Sequence, residues 1–346
     1  MNARATLLMA VLLGGCASGA GEPGDRDVVR PHAHAGPFRP LRENELSERS
    51  GLAPYPLKSS ARQFRQPTVL ELTPSGRPGP CALYAVARIA RVTGIYRFLA
   101  PDARSFTPDP NPQRPILRAE LSWEGDWVGS PSAHRVGEQV WLFYAAAGGI
   151  GLARSTDGVE FMREASPVLA IDTSVGWEGG LAPSDPSFLQ VGLQDYRLYY
   201  SVSGRIGEAR SRNGTRWDRM EDGPLLEPAA RSAASPAYDD AAVEEPHALL
   251  AQSPEGRRIT RIYYAAVDSA GMRTVGLAAR FGTAGPLQRA VSPVFATGRN
   301  PRSPWVLPLD DFALLFVTQQ AGAAAALDFP AIAMGVTPPS ISLSLR

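Results

Sequence analysis

Only two cysteines, four histidines and a single lysine, Lys58, occur among the 346 residues. So few cysteines exclude a disulfide-built scaffold, and stability has to come from packing. Two of the histidines, His32 and His34, lie in a Gly- and Pro-containing stretch without acidic neighbours, so they read as solvated residues and not as a metal centre. An excess of either charge is also missing. The 35 basic and 34 acidic residues leave a net charge of +1, which argues against a nucleic-acid partner. No apolar run beyond the N-terminus has membrane-spanning length, and no strong amphipathic helical pattern occurs. What is present is a hydrophobic content of 44%, ample for a core, in a length that suits one large domain or two ordinary ones.

Residues 1–15 read as a secretory signal: Arg4 is the positive end, Leu7 to Leu13 the short apolar run, and Gly14 and Gly15 the small residues that follow. The stretch Leu13-Gly14-Gly15-Cys16 resembles the lipobox of bacterial lipoproteins. That resemblance implies cleavage before Cys16, lipidation of Cys16, and a membrane as partner through the lipid anchor. Ala17, where an aspartate would resemble an inner-membrane retention signal, favours the outer membrane. Each buried methylene of such an anchor contributes roughly 0.8 kcal/mol. Lipidation of Cys16 leaves Cys81 alone, read as an inert core residue before an apolar strand. Residues 16–62 are rich in Gly, Pro, Arg and Glu without a sustained period and read as a flexible tether, leaving 63–346 as the folded body.

The body repeats. Ser130–Glu164 and Ser184–Met220 both carry a Pro-Ser, an apolar strand, an aromatic-rich strand, and a third strand ending in Ala-Arg-Ser. Both then have a turn, Asp157-Gly158 or Asn213-Gly214, of the kind that suits a two-residue hairpin, and an aromatic at Phe161 or Trp217. Each copy closes on a Pro-x-Leu segment, Pro167-Val168-Leu169 or Pro224-Leu225-Leu226. Weaker copies begin at Gln66, Glu244 and Ser303, so that the landmark aromatic of the second strand falls at Tyr84, Tyr144, Tyr200, Tyr264 and Phe316. Five such units predict an all-β fold, a five-bladed β-propeller of four-stranded blades. The sialidase-type aspartate box does not match, because Gly158 follows Asp157 directly.

A proline marks the first strand of every unit, and the residues before it are Gln66, Ser130, Asp185, Glu245 and Ser303. Two neighbouring blades thus offer a carboxylate at equivalent places around one axis, the equipment of glycoside hydrolysis. Asp185-Pro-Ser-Phe, Glu244-Glu245-Pro-His and the Ala-x-Ser-x-Asp-Gly hairpin resemble the five-bladed furanosidase superfamily, which includes glycoside hydrolase family 43, the arabinanases, and the invertase and levansucrase relatives. The resemblance spans roughly residues 63 to 346. It implies a carbohydrate ligand and three acidic residues from successive blades: a base or nucleophile, a tuning aspartate matched by Asp185, and a glutamate acid matched by Glu245. The family's Glu-Gly-Pro spacing would point to Glu244 instead, and neighbours on a strand face opposite sides.

Ser130 stands at the base position, and a serine needs an activating partner to act there. Asp126, four residues upstream, and His134, four residues downstream, are the candidate bases; His247 is a candidate partner for Glu245. Trp123, Trp127, Trp177 and Trp305 lie near blade entrances, two of them in a repeated Trp-Glu-Gly, and suit stacking on sugar rings. No cofactor is required, although Asp239, Asp240, Glu244 and Glu245 form an acidic stretch able to take a structural calcium ion. The readings that follow are a glycosidase, a related phosphorylase using Arg135 or Arg302, and a surface lipoprotein that binds glycan without cleaving it.

Overall fold

A computed structural model describes residues 35–40 and 62–336, apart from 90, 104–105, 111–113, 221–222, 231–236, 254–255, 311 and 321–329. The lipobox and Cys16 lie outside the described residues. A short strand β1 (Arg39–Pro40) comes first, followed by β2 (Arg62–Glu71), β3 (Cys81–Ile89), β4 (Val92–Ala100) and β5 (Thr107–Pro108), which pair in sequence order. The second sheet holds β6 (Val128–Val136), β7 (Gln139–Ala146), β8 (Gly149–Ser155), β9 (Met162–Arg163) and β10 (Leu169–Ala170). The third runs β11 (Ser184–Gly192), β12 (Asp195–Val202), β13 (Arg205–Ser211) and β14 (Asp218–Arg219). The fourth runs β15 (Ala242–Gln252), β16 (Arg258–Val267), β17 (Arg273–Phe281) and β18 (Gln288–Arg289). The last holds β19 (Arg302–Pro308), β20 (Ala313–Gln320) and β21 (Pro330–Val336).

The protein is an all-β propeller with four-stranded blades. Four sheets have four strands each, and the sheet of β6 has five. The extra strand is the Pro-x-Leu segment of the sequence repeat. Leu169 and Ala170 pair with Ile150 and Gly149 over two residues, whereas Leu117, Leu226 and Phe295 make single bridges to Ile95, Ile206 and Val275 at the corresponding place. The first strands touch in cyclic order, β2 to β6, β11, β15, β19 and back to β2. Five apolar clusters fill the spaces between successive sheets, each joining residues of two neighbours. The landmark aromatics Tyr84, Tyr144, Tyr200, Tyr264 and Phe316 are all buried there, and Cys81 is buried with them. Burial pushes the Cys81 thiol up to about 12, which makes it inert.

Two sequence expectations change. Residues 35–40 belong to the propeller and not to a flexible 16–62 tether. Arg39 and Pro40 pair with Val336 and Gly335, giving the last sheet its fourth strand from the N-terminal side of the sequence. Phe38 is buried, packs edge-on at 6.0 Å from Tyr263, and donates its N–H to the Val294 carbonyl. A two-residue strand has no periodicity to read, so only the partner reveals it. The Asp-Gly and Asn-Gly turns are also longer than two-residue hairpins, because β8 ends at Ser155 and β9 starts at Met162. Side chains hold them: Ser155 Oγ accepts from Gly158 N at 2.8 Å, and Asp157 Oδ1 from Val159 N and Glu160 N at 2.8 and 3.0 Å. Ser211 and Asn213 repeat that pattern. Gly214 has φ +77°, and a Cβ there would meet Trp141 of the preceding sheet at 2.1 Å, so the turn needs glycine for conformation and for docking alike.

Candidate functional site

At all five proline-marked positions the inner strand is deformed in the same way. Gln66, Ser130, Asp185, Glu245 and Ser303 have φ of 55°, 46°, 49°, 54° and 48°, a region that non-glycine residues seldom enter. Pairing with the second strand slips at each of these sites. Such strain costs about 1–3 kcal/mol per residue and concentrates where a site needs it. Its result is convergence. All five residues, their prolines and Trp305 line one open pocket of about 320 Å³, solvent at its mouth included.

Inside the pocket the polar groups fall into two connected sets. Gln66 Nε2 donates to Ser130 Oγ at 2.7 Å, and Gln66 Oε1 accepts from Ser130 N at 3.0 Å. Ser130 Oγ in turn donates to Asp185 Oδ1 at 2.6 Å, and Ser184 Oγ donates to Asp185 Oδ2 at 2.9 Å. Glu245 is the centre of the second set. Arg302 donates from Nε and Nη2 to Oε1 at 3.0 and 2.6 Å, and Ser303 N donates to Oε2 at 2.6 Å. Burial is the largest influence on both carboxyls and raises their pKa values. For Asp185 the Ser130 and Ser184 hydroxyls oppose that rise; for Glu245 the charge of Asp185 adds to it, and Arg302 opposes it. Glu245 is buried and Asp185 half-buried, and both carboxyls can accept hydroxyl donors from a ligand.

A second layer lies two residues further along each strand and closes the ring. Thr68 Oγ1 accepts from Ala133 N at 3.2 Å, Ser132 Oγ from Phe188 N at 3.2 Å, and Ser187 Oγ from Ala248 N at 2.8 Å. His247 Nε2 meets the Val306 carbonyl at 3.1 Å, and Trp305 Nε1 donates to the Val69 carbonyl at 3.0 Å. Every bond joins one sheet to the next, and the last returns to the first.

This geometry sorts the residues singled out in the sequence. Asp185, Glu245, Ser130 and Trp305 share the pocket. Glu245, and not Glu244, faces it; Glu244 pairs with Arg273 at 2.8 Å. Trp127 is 43% exposed, and a methyl added at Gly129, just before Ser130, would lie 3.4 Å from its ring, which puts it beside the mouth. Asp126 is exposed in the turn before β6 and does not line the pocket, so a base there would have to act from outside it. His134 bonds Ser132 Oγ at 3.0 Å and packs on Phe188 and Trp305, while His247 lies 4.1 Å from the Trp305 ring. Burial holds both histidines down to about 3, making them weak bases, and neither lines the pocket. Arg135, considered for phosphate, is likewise outside the lining.

Trp177 and its counterpart Trp123 are inside the blades. They stack on Tyr200 and Tyr144 at 6.2 and 5.9 Å. The glutamates of the two Trp-Glu-Gly copies, Glu178 and Glu124, are fully buried; each accepts a tyrosine hydroxyl at 2.7 Å and pairs with an arginine, Arg219 or Arg163. Asp239 is the third copy, bonded to Tyr264 and Arg289. The acidic stretch thus divides among separate partners: Asp239 as above, Asp240 with Ser269 N, Glu244 with Arg273 and Glu245 with Arg302. Among the described residues, no group of three or more metal-ligating side chains converges. What the sequence did not disclose is the pairing of Gln66 with Ser130 and of Arg302 with Glu245; for the second pair, the position immediately before the pre-proline residue held the available signal.

No protein-family model matches the chain, and no curated protein does. Solved structures do. A thermostable family-43 glycoside hydrolase aligns with a TM-score of 0.58 at 16% identity, over 82% of this chain and 90% of its own. A structure described with the GH130 family of mannoside phosphorylases, said to contain glycoside hydrolases that target β-1,2 mannosidic linkages in Candida mannan, aligns with a TM-score of 0.61 at 13% identity, over 91% and 98%. A glycosyl hydrolase from Bacteroides ovatus aligns with a TM-score of 0.60 at 13% identity, over 89% and 96%. At such identities the likeness shows the fold alone: the protein shares its propeller architecture with these structures.

Proposed function

We propose that the axial pocket binds a carbohydrate, that the five sheets act as five blades presenting it, and that the protein recognises furanosides or oligosaccharides more readily than it cleaves them. The observation that carries this reading is the meeting of Asp185 and Glu245 in one pocket with a serine in the place of a third acid. Sugar hydroxyls would donate to the carboxylate oxygens, and the Trp305 edge and the proline collar would meet the ring's apolar face. Ser130 is committed to Asp185 as a donor, and Glu245 is tied by Arg302 and Ser303 N, so neither group is free to activate water. General-base assistance contributes about 10²–10⁴-fold, so without it hydrolysis should be slow or absent. The phosphorylase reading needs basic groups inside the pocket; Arg302 is held at its edge by Glu245, and Arg65 and Arg135 do not line it.

The test is a panel of aryl furanosides and plant or microbial oligosaccharides, assayed for product with and without phosphate beside a binding measurement. Ligands without rapid product are expected. Rapid hydrolysis surviving Asp185→Asn and Glu245→Gln would overturn the site, and phosphate-dependent turnover would favour the phosphorylase. We further propose export and lipid anchoring through Cys16, in the outer membrane. Labelled palmitate should enter the native chain and be lost in Cys16→Ala; retention of label in that variant would refute the anchor.

A further inference from the structure

One residue upstream of the five pocket residues stand Arg65, Gly129, Ser184, Glu244 and Arg302. Three of these positions follow a rule of the repeat. Arg302 reaches Glu245, the pocket residue of the preceding sheet, at 2.6 Å. A methyl on Gly129 would lie 3.1 Å from Gln66 Oε1, again the pocket residue of the preceding sheet. Glu244 stands in the same relation to Asp185, which feels its charge. Arg302, Gly129 and Glu244 thus lie toward the pocket residue one sheet back, whereas the Ser184 hydroxyl bonds Asp185 of its own strand at 2.9 Å. The last sheet precedes the first in the ring, and Gln66 N, next to Arg65, donates to Thr318 Oγ1 of that sheet at 2.8 Å, so the same register turns Arg65 toward Ser303.

The two arginines differ in what lies beneath them. Arg302 meets a carboxylate, whereas Arg65 is exposed and has no ion pair or hydrogen bond among the described residues. The mouth is consequently polarised. Asp185 and Glu245 line the pocket with acceptors, while Arg302, 48% accessible, and the exposed Arg65 stand at the edge of that lining as cationic donors. A neutral sugar would use only the acceptors. A guanidinium offers its paired N–H groups to a carboxylate in matching geometry.

We propose that Arg65 is a specificity residue that receives the carboxylate of an acidic sugar, so that the pocket selects uronate-containing glycans over their neutral counterparts. The inference rests on the glycan-binding reading above. Hydroxyls of the uronate would face Asp185 and Glu245, and its carboxylate would face Arg65 and Arg302. No bond is made or broken in this step.

The experiment compares oligogalacturonides with their methyl esters, and both with inorganic phosphate, by calorimetric titration of the full chain. The acid is expected to bind roughly tenfold or more tightly than the ester, with a preference that shrinks as salt is added. In Arg65→Gln, whose exposed position leaves the melting temperature unchanged, the preference should fall away while ester binding persists. Equal affinity for acid and ester, or an equal loss of both in Arg65→Gln, would overturn the proposal and leave glycan binding intact. Arg65-dependent binding of inorganic phosphate without uronate binding would overturn it in favour of a phosphate site. Failure of every sugar to bind would sink both this proposal and the functional reading beneath it.

Discussion

Two rings of side chains, separated by two residues along the same five strands, do different work. The lower ring, Thr68, Ser132, Ser187, His247 and Trp305, varies in residue type yet makes one kind of contact, a side-chain bond to the backbone of the next sheet. The upper ring, Gln66, Ser130, Asp185, Glu245 and Ser303, shares one backbone distortion yet makes different contacts at every step. Symmetry of bonding in the lower ring closes the propeller. Asymmetry in the upper ring gives the pocket its chemistry. A repeat can thus hold its framework constant and vary the group it presents, with a proline at the register slip of every inner strand.

Breaking the lower ring should cost stability most. Trp305→Ala removes a buried ring that packs on His247 and bonds Val69, and should destabilise by about 3–5 kcal/mol, read as a lower midpoint in chemical denaturation. Ser187→Ala strands the buried Ala248 N–H and should cost about 1–3 kcal/mol without touching the pocket lining. A midpoint unchanged in both variants would show that this ring does not hold the blades.

Protonation sharpens the contrast further. His134 and His247 are held near 3 in the fold against an ordinary value of 6.5, so the unfolded chain gains protons first as pH falls. Their contribution is intact above 6.5 and is lost progressively between there and about 3. Leucine occupies the place of His134 in the other four strands, as Leu70, Leu189, Leu249 and Leu307. His134→Leu should therefore flatten the acid limb of the stability curve by at most about 1.4 kcal/mol per pH unit. Melting curves across that range check it, and an unaltered slope would refute it. In the upper ring the sign is reversed. Burial raises Asp185 above its ordinary 3.8, so the charged form weakens the fold once pH passes that value. Asp185→Asn should give a small rise in melting temperature in alkaline buffer that fades as pH falls toward 3.8; a rise that grows on acidification would contradict the burial argument.

Much of this framework is legible in the sequence. The prolines after Gln66, Ser130, Asp185, Glu245 and Ser303 each stand 12 to 18 residues before a landmark aromatic, so the inner strands and the pocket residues can be aligned on the proline without coordinates. Side-chain partnerships are another matter. Trp177-Glu178 looks like sugar-binding equipment because its true partners, Tyr200 and Arg219, lie 22 and 41 residues away. Asp239 looks like a calcium ligand for the same reason, with Tyr264 25 residues on. His134 has a suitable ordinary pKa, and only packing against Phe188 and Trp305 shows why it is a poor base. Strand β1 carries too few residues to show a period, and its partner lies at the opposite end of the described residues.

The central claim is that the upper ring binds ligand while the lower ring holds the blades. Calorimetric titration of one carbohydrate found by the panel, against the native chain, Asp185→Asn and Ser187→Ala, tests it most directly. Binding should be lost in Asp185→Asn, which keeps or raises its melting temperature, and retained in Ser187→Ala, which melts lower. Undiminished affinity in folded Asp185→Asn would contradict the assignment of the pocket.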